Sequence, residues 1–123
     1  MATAVFNKYI AVKYDTVNYP SDTRNLLVRT FNDSVVDSLG NPDPSQIFVS
    51  YNGQRLNRHT TETASTFARF YYEIVSQTNT SFTINFIANS NYINSGYSGA
   101  TALSFQILDN DLFYVDYTHT VTI

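Results

Sequence analysis

The chain has 123 residues, a formal net charge of -3 and no cysteine, which bounds it to one domain held by burial and hydrogen bonding, without disulfides or thiolate metal sites. Seven basic residues are too few to neutralise a phosphate backbone, so nucleic acid is not an expected partner. The apolar half is aromatic, with ten Tyr and nine Phe beside abundant Asn, Ser and Thr, a composition that suits strands and turns more than solvated helices. No stretch approaches a membrane-spanning length and no secretory signal is visible at the N-terminus, so neither a membrane nor export is expected.

In chain order, residues 5–14 alternate as a first strand, with Phe6, Ile10, Val12 and Tyr14 on one face and Lys8 interrupting it. Asn18-Tyr19-Pro20-Ser21-Asp22 reads as a turn. Residues 22–39 admit two readings. Leu27, Phe31, Val35 and Leu39 recur every four residues, Ser21 or Asp22 can cap a start and Gly40-Asn41-Pro42 supplies a stop, so one helix fits. The residues are poor helix formers, however, and two short strands meeting at Asn32-Asp33 fit as well. Next, Asn52-Gly53 predicts a type I′ hairpin that sets Tyr51 against Gln54 and Val49 against Leu56.

A Thr-rich connection leads to the central hairpin, residues 67–88. Phe82, Ile84, Phe86 and Ala88 share one face of its second strand, and Ala68, Phe70, Tyr72 and Ile74 share one face of its first. The faces coincide only through an odd-length loop. A three-residue loop Gln77-Thr78-Asn79, with Asn79 left-handed, predicts Ile74 against Phe82, Tyr72 against Ile84 and Phe70 against Phe86. Residues 89–99 form an Asn/Tyr/Ser/Gly loop without core periodicity, Leu103, Phe105 and Ile107 alternate as a short strand, and Asp109-Asn110-Asp111 makes a tight connection. The last strand, residues 113–123, carries Phe113, Val115, Tyr117, His119, Val121 and Ile123 on one face, with Asp116, Thr118, Thr120 and Thr122 opposite. The expected fold is all-β: one antiparallel β-sandwich or jelly-roll-like domain over residues 1–123, with one optional helix within 22–39.

The sequence holds no phosphate-binding Gly-rich loop and no nucleophile motif, and its two glutamates leave any carboxylate pair to aspartates brought together by the fold. His59 and His119 stand sixty residues apart without a metal-ligand spacing, and Asp109-Asn110-Asp111 lacks the glycine and distal glutamate of a calcium loop. No catalytic residue, metal ligand or cofactor is therefore expected. Contact residues are a different matter. Tyr92 and Tyr97 in the 89–99 loop have the composition of adaptable recognition loops, Arg55 and Arg58 form the one basic cluster, and Tyr117 and Ile123 belong to a terminal strand that is either buried in the sheet or available to pair with a neighbouring chain. These features favour a structural, non-enzymatic component of a larger assembly: a virion protein made in the host cytoplasm, such as a phage capsid-decoration, capsid or tail accessory protein, whose partners are its own copies or other virion proteins. The alternative is a carbohydrate- or receptor-binding β-sandwich module that uses the 89–99 loop.

Overall fold

A computed structural model describes residues 3–60, 68–93 and 102–122. Nine strands are described: β1 (Thr3–Val12), β2 (Leu26–Phe31), β3 (Ile47–Tyr51), β4 (Gln54–Arg55), β5 (Phe70–Gln77), β6 (Phe82–Ala88), β7 (Tyr92–Ile93), β8 (Ala102–Leu103) and β9 (Phe113–Thr122). They form a four-stranded sheet in the order β1-β9-β3-β4, a three-stranded sheet in the order β2-β6-β5, and the small pair β7-β8, all antiparallel. The fold is thus all-β, a sandwich whose two main sheets share one core. Among the described residues no helix is long and apolar enough to cross a membrane.

The core follows from alternation. β6 buries Phe82, Ile84, Phe86 and Ala88, and β9 buries Phe113, Val115 and Tyr117, so the central strand of each sheet supplies a row of large side chains. Phe86 packs on Phe113 with ring centroids 5.1 Å apart, and Phe82 meets Tyr117 edge-on at 5.0 Å. Leu27, Phe31, Val35, Ile47, Val49 and Ile107 complete this cluster.

Residues 22–39 contain no helix. Leu27, Arg29 and Phe31 point inward from β2 while Leu26, Val28 and Thr30 point out. A four-residue recurrence is also an even one, so Leu27, Phe31 and Val35 share a strand face as readily as a helix face, and poor helix propensity decides between them. Of the two-strand alternative, the second strand reduces to a single bridge between Val36 and Pro42, and Leu39 is 83% exposed. Asp22 caps nothing. Its carboxylate receives both terminal nitrogens of Arg29 at 2.7 Å, with the two side chains 3% and 7% exposed. The ring of Tyr19 covers that guanidinium at 3.4 Å.

The Asn52-Gly53 turn has positive φ at both residues, +47° and +89°, as a type I′ turn demands, and Tyr51 pairs with Gln54 as the sequence predicts. The Leu56 amide donates to Val49, completing the expected register. The central hairpin keeps its expected faces but not its register. Ile74 pairs with Ile84, Tyr72 with Phe86 and Phe70 with Ala88, two residues from the predicted partners. The turn spans four residues, Thr78 to Ser81, and is closed by the Thr78 hydroxyl, which accepts from the amides of Thr80 and Ser81, while Asn79 does not take positive φ. An even turn puts the two strands out of phase. The irregularity between Ile74 and Ser76 inserts Val75 as an extra, exposed residue and restores the common inner face.

Downstream, the described portion of the 89–99 loop, residues 89–93, ends in a short strand, because Tyr92–Ile93 pairs with Ala102–Leu103. The strand expected over 103–107 continues without a ladder of its own: Asn25 Nδ2 donates to the Phe105 carbonyl and the Ile107 amide donates to Arg24.

The buried Asp22–Arg29 pair makes a direct prediction. Arg29→Ala leaves a carboxylate uncompensated and should cost about 3–5 kcal/mol, whereas Asp22→Leu with Arg29→Met should cost markedly less. Urea midpoints of the three proteins check this; equal losses for both variants would show that the pair itself stabilises the fold.

Candidate functional site

Of the six residues singled out from sequence, the described residues include Arg55, Arg58, Tyr92 and Tyr117. Arg55 ends the type I′ hairpin, exposed, with its guanidinium 4.1 Å over the ring of Phe48. Tyr92 is half-buried and edge-on to Phe105 at 5.2 Å, with the Arg69 guanidinium 5.6 Å from its ring. Arg55 and Tyr92 line one cleft together with Tyr51, Asn57, Arg69 and Phe70, so the fold brings these two candidates together. Arg58 lies apart. Its backbone bridges to Tyr72, and its Nε is buried without a hydrogen-bond partner among the described residues. Tyr117 is a core residue, 1% exposed, and presents no surface in this chain. Tyr97, Ile123 and the whole 94–99 portion of the loop lie outside the described residues.

Tyr117 is instead part of a polar knot between the sheets. Its hydroxyl donates to Asp33, which also receives Lys8 Nζ at 3.0 and 3.2 Å and faces His119 Nδ1 at 3.8 Å. Burial raises the Asp33 carboxyl, but the hydrogen bonds from Tyr117 and Lys8 outweigh it and hold the group below the usual carboxylate range. Burial, and then the same carboxylate, pushes the Tyr117 phenol well up. Lys8 therefore interrupts the apolar face of β1 because it reaches inward to Asp33.

A second knot centres on Asp111. It accepts from the hydroxyl of Tyr51, from Asn52 Nδ2 at 3.1 Å and from the Leu108 amide at 2.7 Å, and these bonds lower its pKa despite burial. The connection at residues 108–111 is thereby pinned to the Asn52-Gly53 turn, and all three partners are protein donors. Among the described residues no group of three or more His, Cys, Asp or Glu is placed to hold a metal ion.

Two surface features escaped the sequence reading. The first is the free edge of β1. β1 pairs with β9 over ten consecutive residues with no register shift, and its backbone has no strand partner on the other side among the described residues. Val5, Phe6 and Tyr9 are 63%, 51% and 64% exposed along it. The second is the outer face of the four-stranded sheet, where Tyr9, Tyr114, Phe48, Arg55 and Asp116 gather. The signal for it was present: Tyr9, Phe48 and Tyr114 are aromatic residues at outward parity on strands whose opposite parity already fills the core.

No protein-family model, curated protein or solved structure significantly matches this chain.

The Asp33 knot fixes the acid response of the fold. A carboxyl depressed in the folded state stabilises it above the unfolded pKa, and that contribution disappears as pH falls through the folded value. Asp33 and Asp111 both have this sign, so the urea midpoint should be level from neutral pH down to the ordinary carboxylate range and fall below it. Asp33→Asn should lower the neutral plateau and shallow the acid decline. A decline as steep as the parent's would remove Asp33 from the account.

Proposed function

We propose that this chain is a structural, non-enzymatic subunit of a larger protein assembly, joined to its neighbours by strand addition along β1. The unguarded edge of β1 carries this reading. Sheet edges are ordinarily blunted by brevity, proline, bulges or outward charges, since unpaired backbone groups otherwise recruit another chain. β1 is ten residues long, runs without a bulge or proline, and spends its charged residue, Lys8, on Asp33. Strand addition would satisfy the open backbone groups and cover Val5 and Phe6 in the same step.

The assembly that best fits is a virion, with this chain as a capsid-decoration, capsid or tail accessory component of a phage. A cysteine-free sandwich with 14% charged residues and a surface rich in Asn, Ser, Thr and Tyr suits side-by-side packing of many copies. Its partners are then its own copies or other virion proteins.

Sedimentation velocity over a range of concentrations tests the association. The parent should form higher-order species, and Thr3→Lys with Val5→Lys, which restores outward charge at the edge, should weaken association at least tenfold without lowering the thermal midpoint. A parent that remains monomeric throughout would contradict the proposal. The virion setting has its own test, mass spectrometry of purified particles of the encoding virus, in which absence of this chain's peptides would refute it.

A further inference from the structure

The outer face of the four-stranded sheet presents aromatic rings where alternation calls for polar residues. Cross-strand pairing sets Tyr9 beside Asp116 and Asp116 beside Phe48 in one row, and Tyr114 beside Ser50 and Ser50 beside Arg55 in the next. Tyr9 and Tyr114 stack with centroids 4.5 Å apart and planes 3° from parallel, which covers one face of the Tyr9 ring and leaves the residue 64% exposed. Across the hollow, Phe48 carries the Arg55 guanidinium at 4.1 Å. The result is a shallow depression of about 230 Å³ between two aromatic walls, with Ser50 and Tyr114 in its lining.

The charges inside it are what point to a ligand. The side chains of Asp116 and Arg55 both line the depression, yet they form no ion pair with each other, and neither side chain makes a hydrogen bond among the described residues. Their charges cancel, so the hollow has no net preference for an anion or a cation. Exposed aromatic rings beside a free acceptor and a free fork of donors match a molecule with an apolar face and a rim of hydroxyls. We infer that this depression binds a neutral hexopyranose. The aromatic wall of Tyr9 and Tyr114 takes the C–H face of the sugar, Asp116 accepts from its hydroxyls, and Arg55, held in place by Phe48, donates to others. The site uses side chains on the sheet face and leaves the backbone edge of β1 free, so it stands whether or not the chain associates through that edge.

Titration of the full chain with glucose, galactose, mannose and N-acetylglucosamine, followed by amide chemical shifts, tests the inference. At least one of these sugars should shift the amides of Tyr9, Phe48, Tyr114 and Asp116 saturably. Asp116→Asn and Tyr114→Ala should each weaken that binding at least tenfold while thermal midpoints and the remaining spectrum stay unchanged. Asp116 is exposed, so its variant keeps the test valid if Tyr114→Ala proves unstable. No saturable shift with any of the four sugars would overturn the assignment, and so would saturation by free glycine or by inorganic phosphate in their place, which would mark a zwitterion or anion site.

Discussion

The contact between β6 and β9 is the constraint from which the rest of the structure follows. Phe82, Ile84 and Phe86 from one sheet meet Phe113, Val115 and Tyr117 from the other, and each of these side chains is at most 1% exposed. Burial of a large apolar side chain contributes about 1.5–3 kcal/mol, so this double row supplies the main drive to bring two sheets together. Because each strand is central in its sheet, the neighbouring strands are placed by backbone ladders running outward from it. Side chains of the opposite parity are thereby aimed at solvent as a matter of geometry, and the aromatic residues among them become surface features.

Polar groups close the sandwich where the apolar rows end. Arg29 sits on the inward face of β2, opposite Ile84, and is tolerated there because Asp22 meets its planar fork with two oxygens. Asp33 gathers Lys8 from β1 and Tyr117 from β9, tying the four-stranded sheet to the end of β2. Asp111 does the equivalent for the turn after β3. The Asp33 and Asp111 carboxylates are met by donors from distant parts of the chain, and the Asp33 knot links the four-stranded sheet to the segment that follows β2.

Much of this was legible locally and little of it non-locally. The Asn52-Gly53 turn could be read because its backbone requirement is met by those two residues alone, and the alternation in β6 and β9 announces their faces directly. The central hairpin shows the limit: alternation demanded a common inner face, which an odd loop would have given, but an even turn with Val75 bulged out gives it too. Residues 22–39 left two readings open because a period of four suits both secondary structures. Tyr117 was read as a contact residue from its place in a terminal strand, yet β9 lies between β1 and β3, a placement no local pattern encodes. Arg55 was found by its charge, whereas its neighbours Phe48, Tyr114 and Asp116 come together only through the pairing of β3, β4 and β9.

The functional account rests on β1. A ten-residue strand with one partner among the described residues, no bulge and its lysine turned inward is costly to leave open, and a neighbouring chain is the simplest way to close it. Amide hydrogen exchange measured at several protein concentrations tests this most directly, because it reports on the edge itself. β9 is flanked along residues 113–117 by both β1 and β3 and should exchange slowly at every concentration. In β1, the alternate amides that face away from β9 should exchange rapidly in dilute solution and become protected as concentration rises. Outward-facing β1 amides that exchange at one rapid rate across the whole concentration range would contradict assembly through this edge.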